Sequence, residues 1–256
     1  MEWSRVKSIL ICMFAVVNVF LLFTYVKGTS PGNFISDTTV DNTVEILRNN
    51  GVTIDKNIIP VNTDTVRMFD FENKYASAAD VLPQAALIDS DSFEYILPEK
   101  AHEGLSEKEA EMYAEIELKN LGLLPEFKYI TDVHTKEQGG YTVTLYPSYE
   151  KKKVVDVKLV FEILDNGMAV ITGHNWLQDR ITNSGVIGAT PVTEVLIKFA
   201  VDGDRQQCEI TDIDIAYYIG SRAGKNIKIT ALPVWALHTA DGETFYYDVR
   251  NAEEIK

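Results

Sequence analysis

The stretch VVDVKLVFEILDNGMAVIT, residues 154–172, decides the fold class because it has the pattern of two strands joined by a tight turn. Apolar side chains alternate with polar or charged ones along its first half, which is typical of a sheet with one covered face. The apolar set is Val155, Val157, Leu159, Phe161 and Ile163. Asp165-Asn166-Gly167 then favours a hairpin turn, because Asn and Gly tolerate positive φ angles.

Three helices are predicted around this hairpin from capping residues and from apolar side chains at helical spacing. They cover Thr39–Asn50, the segment from Ser106 to Gly122, and the segment from Thr190 to Gly203. Ser106 and Glu109 form a capping box that starts the second helix. Its predicted buried stripe is Met112, Tyr113, Ile116 and Leu121.

Further strand patterns follow the helices, so the sequence predicts an α+β fold of repeated helix-plus-antiparallel-sheet units. The strands are Asp64–Glu72, Tyr141–Tyr146, Glu209–Ile219, Ile227–Thr239 and Thr244–Val249. Pro233 predicts an edge position or a bulge, since proline has no N–H for the ladder. The predicted units are a partial one at 36–104 and two fuller ones at 105–185 and 186–256.

A single transmembrane helix is predicted ahead of this domain. Ser8–Val26 has no charged residue and is just long enough for a hydrocarbon core that needs roughly 20 helical residues. Arg5 and Lys7 precede it, which favours a cytoplasmic N-terminus and an extracellular C-terminal domain. The boundaries are a tail at 1–7, the helix at 8–27 and a linker at 28–35. A cleaved signal peptide is the competing interpretation.

One face of this helix is predicted to contact a partner helix. It consists of Ile11, Phe14, Asn18, Leu22 and Tyr25, which recur at steps of three and four residues. Asn18 is the informative member, because an amide in hydrocarbon gains most from a hydrogen bond to a neighbouring helix. The alternative is that one Asn in a single span is tolerated without a role.

The charge and the cysteine content of the chain limit its function. The 256 residues contain 24 Lys+Arg against 38 Asp+Glu, a net charge of −14, which argues against nucleic-acid binding. Cys12 lies in the predicted span and Cys208 lies in the exported part, so the two cannot pair. We interpret Cys208 as a buried small apolar residue.

No catalytic, metal or cofactor signature is found, and we expect a protein that is not an enzyme. His102, His134, His174 and His238 lack a nearby His or Cys at zinc spacing. Asp202-Gly203-Asp204 lacks the rest of a calcium loop. Asp212 and Asp214 share one face of a predicted strand. Paired carboxylates of this kind occur in hydrolases, and the alternative is that they lie on the solvated face of the strand.

Two other features are candidates for binding. Lys151-Lys152-Lys153 is either a solvated hairpin loop or a docking point for an acidic partner. A set of aromatic residues either lines an interface on the exported domain or packs in the core, since Tyr and Trp serve both purposes. The set is Tyr217, Tyr218, Trp235, Tyr246 and Tyr247.

The chain resembles the YycI (WalI) family in three stretches. They are the N-terminal run Trp3–Ile9 leading to Asn18–Leu22, the Thr39–Gly51 helix before Ile59-Pro60, and the strand Leu232–Trp235 before Tyr246–Val249. The resemblance implies a cell-membrane accessory protein of Gram-positive bacteria. Together with a YycH-like partner, in a heterodimer or ternary complex, it would adjust a WalK-like sensor histidine kinase that controls cell-wall metabolism. It also implies an exported fold related to YycH.

The main functional hypothesis is therefore a non-enzymatic regulator that acts through its transmembrane helix. The alternative is an extracellular ligand-binding or protease-inhibitory module, because helix-plus-sheet units of this kind resemble PepSY-type domains. These two hypotheses differ in whether the helix or the exported domain carries the activity.

Overall fold

The computed structural model describes residues 7, 13–15, 17–19, 33–63, 65–72, 82, 84–88, 92–101, 104–124, 128–176, 180–201, 207–220 and 229–255. Over these ranges the fold is α+β and consists mostly of sheet, as predicted. Within the same ranges, no helix combines the length and the apolar character needed to cross a membrane. Most of the predicted helix at 8–27 lies outside the described residues.

The elements follow one another in a helix-then-strands order. They are β1 (Asn33–Phe34), α1 (Asp37–Asn49), β2 (Val52–Ile54), a 3-10 turn (Lys56–Ile58), β3 (Asn62–Thr63), β4 (Val66–Glu72), β5 (Ala86–Leu87), β6 (Ser92–Ile96), α2 (Glu107–Asn120), β7 (Tyr129–Thr135), β8 (Gly140–Tyr149), β9 (Lys152–Lys153), β10 (Lys158–Leu164), β11 (Ala169–His174), β12 (Arg180–Ile187), α3 (Val192–Val201), β13 (Cys208–Tyr218), β14 (Ile229–Thr239), β15 (Thr244–Asp248) and β16 (Glu254–Ile255).

The first sheet contains the predicted hairpin. Its strand order is β5-β6-β11-β10-β8-β7, with β9 paired to β8. β10 and β11 pair antiparallel across the turn, where Gly167 has a φ of +78° and the Met168 N–H donates to Asn166 Oδ1. β10 begins at Lys158 rather than Val154, because Val154 instead bridges to Tyr217 in the other sheet.

Helix α2 covers this sheet and begins with the predicted capping box between Ser106 and Glu109. Tyr113 packs edge-on against Phe161 at a centroid distance of 5.7 Å. The predicted buried stripe is wrong at Met112 and Ile116, which are exposed. The small residues Ala110 and Ala114 face the sheet with Leu118, since they let the helix approach closely.

The second sheet has the order β12-β4-β14-β13-β2, with β15 on β14 and β16 on β15. Helices α1 and α3 contact each other and cover one face, where Phe199 of α3 lies 5.3 Å from Phe245 of β15. The predicted partial unit at 36–104 contributes strands to both sheets: β2 and β4 belong to this one, and β5 and β6 to the first.

Pro233 lies in the interior of the second sheet, so the expectation of an edge strand is wrong. β14 pairs with β13 along one side. On its other side, it pairs with β4 as far as Ala231 and with β15 from Val234 onward. The Pro233 carbonyl accepts the Val249 N–H on the side of that change. The missing N–H of proline therefore faces the gap between two partners, where no ladder bond is lost.

The two sheets meet where the β9 segment approaches β13. The Asp156 carboxylate accepts the N–H groups of Ile219 (2.9 Å) and Gly220 (2.6 Å), and the Val155 N–H donates to the Tyr217 carbonyl. Burial raises the pKa of Asp156 to about 6, although these backbone N–H groups oppose the rise.

An aromatic cluster fills the same junction. Phe69 lies 4.3 Å from Tyr149 and 4.5 Å from Tyr217 between ring centroids, and the Tyr217 hydroxyl donates to the Arg67 carbonyl. Aromatic contacts of this kind join the strands β4, β8 and β13 across the two sheets. The core is therefore continuous from one sheet to the other.

Replacing Gly140 by Ala tests the close approach of β8 to β10. Gly140 has a φ of +87°, and an added Cβ would lie 2.1 Å from the Ile163 carbonyl oxygen. Gly242→Ala is a matched control, since Gly242 has a φ of +86° with no atom within 4 Å. Urea unfolding should show a loss of about 1 kcal/mol for the control and roughly 2–4 kcal/mol for Gly140→Ala. Equal losses would contradict this packing.

Candidate binding cleft

A cleft of about 850 Å³ lies between the outer face of the second sheet and the β7–β9 side of the first. Its floor includes the small buried side chains Ala216 and Ala236, and Val155 and Tyr246, which pack against them, also line it. Small residues on the floor leave room above the sheet.

The wall from the first sheet presents an ion pair beside an aromatic ring. Lys153 Nζ lies 2.5 Å from Asp132 Oδ2 and 5.0 Å from the centroid of Tyr146. Lys151 and Lys152 continue this wall toward the turn after β8. The arrangement presents ammonium groups and one apolar ring face to the cleft.

The wall from the second sheet centres on His238. Its Nδ1 lies 3.0 Å from Thr244 Oγ1 and its Nε2 lies 3.4 Å from Asp214 Oδ1. The bond to Asp214 raises the pKa of His238, with a smaller contribution from the charge of Asp212, while burial and Lys153 act in the opposite direction. The cleft therefore has a titratable group whose charge depends on its neighbours.

A second, smaller cleft of about 390 Å³ adjoins the first. Val66, Ile213 and Trp235 give it an apolar lining. At its rim, Arg67 Nη1 lies 2.7 Å from Glu150 Oε1. The two clefts have four lining residues in common, so they adjoin at β13 and the turn between β8 and β9. The shared residues are Glu150, Lys152, Asp214 and Ile215.

The structure divides the aromatic candidates between two faces, because neighbouring residues on a strand point in opposite directions. Tyr217, Trp235 and Tyr247 are buried in the core, where the Trp235 Nε1–H donates to the Thr190 carbonyl at 3.1 Å. Tyr218 and Tyr246 belong to the other face, and Tyr246 lines the larger cleft. Packing thus accounts for the three buried members.

The lysine run and the aspartate pair, which are far apart in the sequence, lie close together in the structure. Lys151–Lys153 and the pair Asp212 and Asp214 line the same cleft from opposite walls. No local spacing in the sequence joins them, since they lie about sixty residues apart. His238, which has no zinc spacing in the sequence, has polar neighbours at both ring nitrogens.

The other histidines are placed as follows. His134 lines the cleft, while His174 Nδ1 lies 2.9 Å from Ser92 Oγ on the first sheet. His102 lies outside the described residues, as does Asp202-Gly203-Asp204. Within the described ranges, no group of three His, Cys, Asp or Glu side chains is arranged to hold a metal ion.

Of the predicted membrane-contact residues, Phe14 and Asn18 are described. Both are helical, and the Asn18 Nδ2–H donates to the Phe14 carbonyl at 3.0 Å. Phe14 is 69% exposed, and Met13, Val17 and Val19 are exposed as well. Ile11, Leu22, Tyr25 and Cys12 lie outside the described residues, and Cys208 is partly buried against the core.

Comparison with protein-family models and with curated proteins gives no match for this chain. Among solved structures, it is similar to the crystal structure of an uncharacterized protein from Eubacterium rectale. The two share 12% sequence identity with a TM-score of 0.49, over 88% of this chain and 99% of the other.

Replacing Asp214 by Asn should lower the pKa of His238, because it removes the carboxylate that favours the protonated ring. Protonated His238 stabilises the fold at pH values below its ordinary pKa of 6.5, and this contribution disappears as pH rises through the higher folded value. NMR titration of the His238 ring measures the shift. Asp212→Asn is the control and should have a smaller effect; an unchanged titration in Asp214→Asn would contradict the contact.

Proposed function

We propose that this protein is a membrane-anchored, non-enzymatic regulator of a WalK-like sensor histidine kinase, acting through its N-terminal helix together with a YycH-like partner. The observation that carries the proposal is an amide and a large exposed aromatic ring one helical turn apart, at Asn18 and Phe14. The resemblance of Trp3–Ile9 and Asn18–Leu22 to the YycI family supplies the kind of partner.

The chemistry of Asn18 supports a contact with another helix. A side-chain amide has two N–H donors and one carbonyl acceptor, and the bond to the Phe14 carbonyl uses one of the donors. The other groups gain most from a polar partner when the surroundings are apolar. The exposed neighbours Met13, Val17 and Val19 provide such surroundings on this helix.

The free energy that one such helix contact provides is sufficient for regulation. A sensor kinase that exists in two conformations responds to any partner that binds one of them more tightly. A coupling free energy of about 1–3 kcal/mol changes its output roughly 5- to 150-fold. The N-terminus is placed in the cytoplasm and the two-sheet domain outside the cell in this proposal.

Replacing Asn18 by Leu, or Phe14 by Leu, should weaken co-purification of the full-length protein with the kinase from detergent extracts. Loss of one interhelical hydrogen bond of about 1 kcal/mol corresponds to a roughly fivefold weaker association. Val19→Leu is the matched control, because Val19 is exposed on the same helix but lies off the predicted face. Unchanged kinase recovery in both variants, with unchanged expression of kinase-controlled genes, would contradict the proposal.

A second candidate function is favoured by the cleft of about 850 Å³ between the sheets. An extracellular ligand-binding or protease-inhibitory module, of the PepSY-like kind, would use this cleft with its ammonium groups, carboxylates and aromatic ring. In that case the N-terminal helix serves only as an anchor.

Exchanging residues 8–26 for an unrelated transmembrane sequence of equal length separates the two candidates. Regulation through the helix predicts that kinase control is lost while the protein stays in the membrane. Expression of kinase-controlled genes in cells carrying the exchange measures this, and membrane fractionation confirms equal amounts of protein. Full activity after the exchange would contradict the first candidate and support the second.

A further inference from the structure

The interior of the smaller cleft is apolar. It lies between β13, the start of β4 and the turn that joins β8 to β9, and its walls include Val66, Ile213, Ile215 and Trp235. The one polar group of the Trp235 ring already donates to the Thr190 carbonyl. The volume of about 390 Å³ falls within the range of about 300–1,000 Å³ that is usual for pockets that hold small molecules. The cleft can therefore take the apolar part of a small molecule.

The rim of this cleft carries two basic and two acidic side chains. Arg67 Nη1 lies 2.7 Å from Glu150 Oε1, and Asp214 Oδ1 lies 3.4 Å from His238 Nε2. Each of the two carboxylates therefore has a basic neighbour. Lys152, which is half-buried, forms no ion pair with any described residue. The charge left to be matched at this rim is the positive charge of Lys152.

The turn between β8 and β9 positions two of these rim residues at a conformational cost. Its two central residues, Glu150 and Lys151, have φ angles of +50° and +67°. Asn-Gly is the usual choice for a two-residue hairpin with positive φ at both positions. An exposed ion pair such as Arg67 with Glu150 adds little stability, so it does not account for a glutamate here. The turn consists instead of residues that line the two clefts.

We propose that the smaller cleft binds a small organic acid, with its carboxylate on Lys152 and its apolar body against Ile213 and Trp235. A hydrogen bond between an ammonium group and a carboxylate is stronger than one between neutral groups, which favours an anion at Lys152. Burial of hydrocarbon against the apolar walls supplies the rest of the affinity. The proposal extends the ligand-binding candidate, which uses the larger cleft, and it does not depend on the membrane contact.

Fluorine NMR of the full-length protein in detergent, labelled with 5-fluorotryptophan, tests the proposal. The chain has three tryptophans. Trp235 lines the cleft, and Trp176, which lines neither cleft, is the internal control. The Trp235→Phe variant identifies the Trp235 signal. The probes are 3-phenylpropionate, 3-phenylpropionamide and 3-phenylpropylamine, which share one apolar body and differ in charge.

The acid should shift the Trp235 signal at concentrations roughly five- to tenfold lower than the amide, and the amine should bind least tightly. The Trp176 signal should not move. Equal binding of the acid and the amide, or no shift of the Trp235 signal up to about 10 mM acid, would overturn the proposal. Neither result depends on the exchange of residues 8–26, which tests the proposed function separately.

Two neighbouring lysines provide a matched pair of variants. Lys152→Met removes the charge and keeps the apolar stem, so the preference for the acid over the amide should fall to about one. Lys151→Met is the control and should keep the preference, because Lys151 lines only the larger cleft. Lys152→Arg should keep it as well. Thermal unfolding reports whether each variant is folded, and an equal preference in the two Met variants would overturn the proposal.

Glu150→Gln should change the preference in the opposite direction. It removes the carboxylate that pairs with Arg67 and leaves a second cation at the rim. A guanidinium group can donate two N–H groups to one carboxylate, so the preference for the acid should rise about threefold or more. An unchanged or lower preference in a folded Glu150→Gln variant would overturn the assignment of this rim to an anion.

Discussion

The contact on which the rest of the structure depends is the bond between the Asp156 carboxylate and the N–H groups of Ile219 and Gly220. It joins the chain that enters β10 of the first sheet to the end of β13 in the second. The Tyr149, Phe69 and Tyr217 rings lie in the same junction and join strands β4, β8 and β13. Burial raises the pKa of this carboxyl group to about 6, although the two backbone N–H groups oppose the rise.

Local signals in the sequence predicted the local structure. The capping box at Ser106, the turn at Gly167 and the helix at α1 were all predicted close to where they occur, because each depends on neighbouring residues. Long-range pairing was not predicted. β12 contains a bulge between Asn183 and Gly185 that hides its strand pattern, and Pro233 gave no sign that β14 changes partners at its position.

The helical face with Asn18 and the cleft between the sheets also differ in how far the sequence reveals them. The helical face with Asn18 could be read from the sequence, since its members recur at helical spacing. The cleft could not, because it brings Lys151–Lys153 together with Asp212 and Asp214 from two sheets. The two proposed functions are compatible with each other, since the proposed helix contact and the cleft involve different parts of the chain.

The central claim, that the N-terminal helix contacts a kinase helix within the membrane, is tested most directly by crosslinking in cells. Single cysteines would be placed along residues 8–26 in a full-length chain whose Cys12 and Cys208 are replaced by Ser. The account predicts crosslinks to the kinase that peak at 11, 14, 18, 22 and 25, with the 3.6-residue period of a helix. Crosslinks to the kinase that are absent, or that show no helical period, would contradict it.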